Sequence, residues 1–226
     1  MVGVSVIGGS GGFGFGLAVR LGAAGVPIAI GSRDEERAAA TAERLRHRIP
    51  GGSFTGSRNR AAVAGAQVVV LTVPFGSQQE SISDLREALE PGQVVLDTTV
   101  PLASTVGGRP TRTVGVWQGS AAEQAAELVP PGVGVVSALH TVAASQLQDL
   151  AHRFEQDVLV CGDSASDKRV VADLLERVPG FRCVDCGPLE MSRYSEQLTP
   201  LLIGLNLRYR VKSGVRIVGL PENLWA

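Results

Sequence analysis

Lysine is nearly missing from this chain: of its 21 Lys and Arg residues only Lys168 and Lys212 are lysines, and neither falls near the residues singled out below as a site. Chemistry that needs a lysine proton donor is therefore disfavoured. Strong charge of either sign is also lacking. A formal net charge of -1 and a sequence pI of about 6.3 give no reason to expect a nucleic-acid or anionic-membrane partner. No apolar run approaches the roughly 18 residues of a membrane span, and "MVGVSVIGG" shows no basic leader ahead of a long apolar stretch. These absences predict a soluble, cytoplasmic protein. Cysteine is scarce as well, with only Cys161, Cys183 and Cys186. The spacing in "CVDC" is that of redox and metal motifs, but if "FRCVDCG" is a strand, residues three apart face opposite sides of the sheet. The expectation is no metal site and no bridge within that motif.

What the chain has in quantity is short apolar runs and glycine, 28 residues of it. "VSVI", "VPIAI", "VVVLTV", "VVLDTTV", "VGVVSAL" and "DVLVC" are mostly separated by segments of helical spacing. That alternation predicts an α/β protein with a Rossmann-type, doubly wound, mostly parallel sheet. Phe13, Leu17, Ala18 and Leu21 repeat at helical spacing before Gly25, a C-cap glycine. Further helices are expected over 34–47, over 78–89, in "SDKRVVADLLERV", and in "LEMSRYSEQLTPLLIGLNLRYR", the last interrupted by Pro200. A boundary near residue 153 divides a nucleotide-binding domain, 1–153, from a smaller C-terminal α/β extension, 154–226. The long segment "LASTVGGRPTRTVGVWQG" has no period and is a candidate border of a site.

"GGSGGFG" holds G-x-G-x-x-G at Gly9, Gly11 and Gly14, after a predicted strand and at the start of a predicted helix. In that context the first glycine permits a tight turn, the second lets backbone approach a pyrophosphate, and the third lets helix pack on strand. An NAD-type site places an acidic residue at the end of the second strand, to hold the ribose 2'-hydroxyl. Here Ser32 and Arg33 stand in that place, with Arg37 one helical turn on. Donors rather than a carboxylate predict a 2'-phosphate, hence NADP(H). The alternative is that these arginines are surface charges paired with Asp34, Glu35 and Glu36.

"VIGGSGGFGFGLAVRL", "GSRDEER", "LTVPF", "GSAAE", "VVSALHTV", "VCGD", "CGPLEMSRYSEQLTPLLI" and "GVRIVGL" occur in an order and at spacings that resemble the NADPH-dependent coenzyme F-420 reductases, also called F-420:NADP oxidoreductases. The resemblance covers nearly the whole chain. It implies hydride transfer between C4 of a nicotinamide and C5 of an 8-hydroxy-5-deazaflavin, achieved by positioning and without acid/base catalysis or metal, with His140 and Ser10 the nearest side chains to a catalytic role. It implies that Ser10, Gly11, Gly12 and Phe13 contact the pyrophosphate and ribose, and that Ser32, Arg33 and Arg37 hold the 2'-phosphate. Phe75, Val100 and Ala144 would line the nucleotide or the gap between rings. His140, Arg193 and Thr199 would lie close to the deazaflavin or its tail. Ala143 stands where relatives often have proline, Gln197 where they have a small hydroxyl residue, and Ser10 where threonine is frequent.

Two readings compete with that one: an NADPH-dependent reductase of another small substrate, and a non-catalytic NADPH sensor. The basic stretch with Arg208, Arg210, Lys212 and Arg216 reads as a solvated face rather than a docking strip for an acidic tail. Leu198, Leu201, Leu202 and Leu205 have the spacing of a helix packed on the sheet or on a second subunit, and a homodimer is expected.

Overall fold

The strands "VSVI", "VVVL" and "VVLD" are buried at every position. A parallel strand covered by helices on both faces has no solvent side, so alternation is replaced by continuous Val, Ile and Leu. In a computed structural model of the chain, which describes residues 3–221, 224 and 225, successive side chains of these strands enter different layers. Val4, Val6, Val68, Val70, Val94 and Leu96 join one core cluster, while Ile7, Val69, Leu71 and Val95 join the other.

Eight strands form one sheet: β1 (Val4–Ile7), β2 (Ile28–Ser32), β3 (Phe54–Arg58), β4 (Val68–Leu71), β5 (Val94–Asp97), β6 (Gly134–Ser137), β7 (Gln156–Gly162) and β8 (Phe181–Asp185). Their order is β3-β2-β1-β4-β5-β6-β7-β8, parallel except where β7 runs against β6. The order reverses between β1 and β4, which opens a crevice at the carboxyl ends of those strands. The helices are α1 (Gly12–Ala23), α2 (Glu35–Arg48), α3 (Asn59–Val63), α4 (Gln78–Leu85), α5 (Ala121–Leu128), α6 (Ala144–Gln148), α7 (Ala165–Leu175) and α8 (Ser192–Tyr209). Among the described residues no helix is long and apolar enough to cross a membrane.

The mostly parallel, doubly wound sheet is as expected, with three local differences. Strand β3 escapes a search for apolar runs because Thr55, Gly56 and Ser57 interrupt it, as an edge strand tolerates. Helix α8 is not interrupted at Pro200. Proline there removes one backbone donor, but burial of Ser195, Glu196, Pro200 and Leu202 holds the helix together across it. The left-handed turn after β1 is made by Gly8 (φ 82°) rather than Gly9. Residue 153 lies between α6 and β7, and the sheet continues across that point through two registered pairs, Val136 with Gly162 and Ser137 with Cys161.

Candidate functional site

The carboxyl ends of β1, β4, β5 and β6 border one cleft with two parts. The larger has a volume of about 510 Å³ and is lined from Gly11, Gly12 and Phe13 across Thr72 to Phe75, Thr98 to Val100, His140, Ala144 and Thr199. The smaller, about 200 Å³, holds Ser10, Ser32, Arg33, Arg37, Asn59 and Ser77. Gly11, Thr72, Val73 and Pro74 border both. The residues singled out for the pyrophosphate, the 2'-phosphate and the ring gap thus meet around one continuous space. Leu102, Ser104 and Thr105, from the segment without a period, form part of its wall.

The glycines explain why α1 can come so close to the crevice. A Cβ on Gly14 would lie 2.3 Å from Thr72 Oγ1, and one on Gly9 would lie 2.9 Å from Ile30 Cδ1. Thr72 in turn donates its hydroxyl to the Ile7 carbonyl at 2.7 Å, tying β4 to β1 where the strand order switches. The first-turn N–H groups of α1 are left open: its N-cap, Gly11, offers no side-chain acceptor, and no acidic residue lies in its first turn. By contrast α2, α5 and α7 are capped by Asp34, Ser120 and Ser164. An uncapped N-terminus facing a cleft favours a bound anion.

At the end of β2, Ser32 Oγ accepts from the Asp34 amide at 3.2 Å. Arg33 is paired, though not with the neighbouring acids considered from sequence: its Nη1 lies 3.4 Å from Glu80 Oε2. Glu35 pairs instead with Arg58, at 3.6 Å. Among the described residues the Arg37 guanidinium makes no ion pair or hydrogen bond, and Asn59 Oδ1 is buried without a partner beside it in the same recess. An unmatched guanidinium and an unmatched amide suit a polar ligand there.

Leu139 delivers His140 to the larger part of the cleft in a left-handed backbone conformation (φ 71°), unusual for a bulky residue and costing on the order of 1–3 kcal/mol. The Thr199 hydroxyl donates to the His140 carbonyl at 2.8 Å and helps hold it. Burial lowers the His140 pKa to about 4, so the ring is neutral near pH 7. Its Nδ1 lies 3.2 Å from Ser195 Oγ, which is also within hydrogen-bond reach of the Ser192 carbonyl at 3.1 Å. The direction of the Nδ1–Oγ bond goes with the ring tautomer, and Nε2 is buried without a partner. Arg193 is placed apart from this group. It donates to Glu123 Oε1 at 3.0 Å and to the Glu190 carbonyl at 2.9 Å, and it is not among the residues lining the cleft. Gln197 exchanges hydrogen bonds with Thr113.

Beneath the cleft lies a polar network that carried no sequence signature. Gln78 Nε2 reaches Asp97 Oδ2 at 2.7 Å, Thr99 Oγ1 at 2.8 Å and the Ala121 carbonyl at 2.9 Å, while its Oε1 accepts from Gln124 at 2.7 Å. Burial pushes Asp97 up to about 6, against the donors Thr99 and Gln78. Thr99 belongs both to this network and to the cleft wall. Such residues are spread over β5, α4 and α5, and only the fold brings them together.

What this arrangement defines is the Rossmann class of dinucleotide-binding proteins. Within that class the chain belongs to the coenzyme F420-dependent NADP oxidoreductases: the family model "NADP oxidoreductase coenzyme F420-dependent" matches residues 3–101, and full-length relatives share about two residues in five. The chain is 41% identical to the "F420-dependent NADP reductase" of Methanothermobacter thermautotrophicus, over 97% of this chain and 96% of that one. It is 40% identical to the protein of the same name from Methanocaldococcus jannaschii, over 96% and 98%. A crystal structure from Arthrobacter sp. FB24, provisionally assigned as an F420-dependent NADP reductase, superposes with a TM-score of 0.80 at 26% identity, covering 95% of this chain and 98% of that one.

Proposed function

We propose that the two-part cleft carries the family reaction in this chain, with NADP(H) and coenzyme F-420 as its two substrates. The protein is an F420-dependent NADP reductase, an oxidoreductase like the relatives that share its full length. The chemistry belongs to the substrates: a hydride moves between C4 of the nicotinamide and C5 of the deazaflavin. The chain contributes placement. The open N-terminus of α1, with Ser10, Gly11, Gly12 and Phe13, takes the pyrophosphate. Ser32, Arg33 and Arg37 take the 2'-phosphate, supported by their position around one recess. Phe75, Val100 and Ala144 flank the ring gap, and Thr199 positions His140 at its edge.

The single observation that carries this reading is the continuity of the two recesses through Gly11, Thr72, Val73 and Pro74. A dinucleotide lying along it has one end among arginines and the other beside the buried, neutral His140. The unpartnered Nε2 of that histidine is the ring nitrogen left to hydrogen-bond a polar group of the second ring system. Residues 1–153 hold the nucleotide side, and 154–226 reach the deazaflavin side through Thr199, with Arg193 at a greater remove. The exposed Tyr194, Leu201, Leu207 and Tyr209 on α8 favour a homodimer through that helix. The near-neutral charge suits a cytoplasmic protein.

An anaerobic stopped-flow mix of the purified protein with NADPH and oxidised coenzyme F-420, following the deazaflavin absorbance, tests the proposal. Rapid bleaching that NADH does not reproduce is expected. Binding of NADPH without bleaching would overturn it in favour of another substrate or a sensor.

A further inference from the structure

The two cysteines of "CVDC" are not partners. Cys183 is buried in the core, its sulfur 3.9 Å from the Ala172 carbonyl on α7, while Cys186 interacts with the third cysteine, Cys161 of β7. The register explains this. Strands β7 and β8 are parallel and their register ends with Val160 opposite Asp185, so Cys161 and Cys186 are the residues that follow on the two neighbouring stretches of chain where β8 ends. Two backbone bonds bracket them: the Cys186 amide donates to the Val160 carbonyl at 2.8 Å, and the Gly162 amide to the Gly187 carbonyl at 3.1 Å. Neighbouring strands lie about 4.8 Å apart, and the backbone bond at Cys186 keeps the two stretches at that spacing here. That spacing is inside the roughly 4.4–6.8 Å window that a disulfide spans.

The surroundings of Cys161 are polar although it is fully buried. Hydroxyls of Ser137, Ser192 and Ser195 and the Cys186 thiol all interact with its sulfur. Together they favour the Cys161 thiolate and lower its pKa to about 7, while the shared proton pushes Cys186 up. Cys186 is the member of the pair that reaches solvent. Ser195 is also the partner of His140 Nδ1, so one hydroxyl stands between the sulfur pair and the cleft.

We propose that Cys161 and Cys186 form a reversible dithiol–disulfide site, coupled through Ser195 to His140. The oxidant is a small disulfide, RSSR. The Cys161 thiolate takes the Cys186 proton as the solvent-side Cys186 sulfur attacks one sulfur of RSSR; the S–S bond breaks, and one RS⁻ leaves with a mixed disulfide on Cys186. The Cys161 thiolate then attacks the Cys186 sulfur and expels the second RS⁻, closing the Cys161–Cys186 bond. Cys161 passes the proton it took from Cys186 to the first RS⁻, and the second RS⁻ takes from solvent the proton that Cys161 had released on ionising, so from dithiol to disulfide the protein loses two electrons and two hydrogens and RSSR becomes two RSH. Closure requires Cys186 to give up its contact with the Val184 carbonyl at 3.5 Å and draws the Cys161 sulfur away from Ser195.

The site itself is independent of the proposed function, whereas its effect on rate rests on that reading. The test treats the full chain with oxidised glutathione and counts thiols under denaturing conditions, with intact mass and peptide mapping, before and after dithiothreitol. Two of three thiols should vanish with a mass loss of 2 Da. The cross-linked peptide should join 161 to 186, and reductant should restore both thiols. Cys186→Ser should abolish the cross-link; if Cys161→Ser does not fold, this exposed-side variant still decides. A persistent mixed glutathione adduct, a bridge involving Cys183, or three unreacted thiols would each overturn the site. Deazaflavin bleaching should slow about fivefold in the bridged protein, the worth of one neutral hydrogen bond, and recover on reduction. A bridge with unchanged bleaching would overturn the coupling to His140 alone, and a chain without bleaching activity in either state would leave the thiol result standing.

Discussion

Arg33 Nη1 and Glu80 Oε2 are 3.4 Å apart at the mouth of the recess proposed for the 2'-phosphate, both largely exposed. An exposed pair of this kind contributes little to stability. Its consequence is for binding: a phosphate entering the recess meets a guanidinium already shared with a carboxylate.

Glu80→Gln should therefore tighten NADPH binding, lowering its Michaelis constant roughly three- to fivefold at low salt, with the gain fading as ionic strength rises. Arg33→Ala should raise the NADPH constant at least about tenfold and leave that for NADH nearly unchanged, since a charge-assisted contact is worth about 1.5–3 kcal/mol. Steady-state kinetics with both nucleotides check this. Equal effects on NADPH and NADH would remove the phosphate from this corner.

Gly14→Ala places a methyl group 2.3 Å from Thr72 Oγ1 and 2.9 Å from Gly9 Cα. Overpacking of this kind costs about 1–3 kcal/mol, and here it also pushes α1 from the crevice. The expected result is lower stability in urea and weaker NADPH binding together. Adding Thr72→Ala should recover part of both, because it removes the nearest clashing atom. A fully additive double variant would show that the two residues do not meet.

Most of the sheet, and the grouping of the residues around the recess proposed for the nucleotide, were legible in sequence, because both are written locally. Apolar runs give the strands, and the glycines and arginines of one βαβ unit lie within about thirty residues. The residues of the end proposed for the deazaflavin were named only through resemblance. His140 comes from the turn after β6, Ser195 and Thr199 from α8, and no spacing rule joins residues 55 or 59 positions apart. The Gln78–Asp97–Thr99 network was missed for the same reason, and so was the pairing of Cys161 with Cys186, since "CVDC" draws attention to the wrong two sulfurs. Arg33's partner lies not among its sequence neighbours but in α4, 47 residues on.

Arg20 holds the loop after α6 to α1. Its Nε donates to the Leu147 carbonyl at 3.0 Å, and its Nη2 donates to those of Gln146 at 2.7 Å, His152 at 3.0 Å and Asp149, with the guanidinium over Phe154. These are carbonyls at a helix end with no continuing turn to satisfy them. Arg20→Ala should destabilise the fold by about 3 kcal/mol, and Arg20→Lys should recover less than half, because one ammonium cannot span the same acceptors. Urea unfolding measures both. A lysine variant as stable as wild type would assign the effect to charge rather than to the fork of donors.

Glu196 gives the fold a pH dependence of definite sign. Its carboxylate is 1% exposed and accepts from the Ala121 and Ala122 amides at 3.0 and 3.1 Å, capping α5 from α8. Burial nevertheless outweighs those two donors, and with Asp97 and Glu123 nearby it raises the pKa from 4.5 to about 8. Between those values the unfolded chain has released a proton that the folded chain keeps. The contribution is fully present below pH 4.5 and is lost as pH rises through 8. Asp97, raised to about 6, acts in the same sense as Glu196, while His140, lowered to about 4, and Cys161, lowered to about 7, act in the opposite sense over parts of the range, so the wild-type curve is a composite of all four. Glu196→Gln removes only the Glu196 contribution. Subtracting urea-unfolding free energies of the two proteins across pH 5 to 8 should leave a difference that shifts by roughly 3 kcal/mol in favour of glutamine at the alkaline end. Parallel curves would mean that Glu196 is already ionised at pH 5, with its two backbone donors outweighing burial.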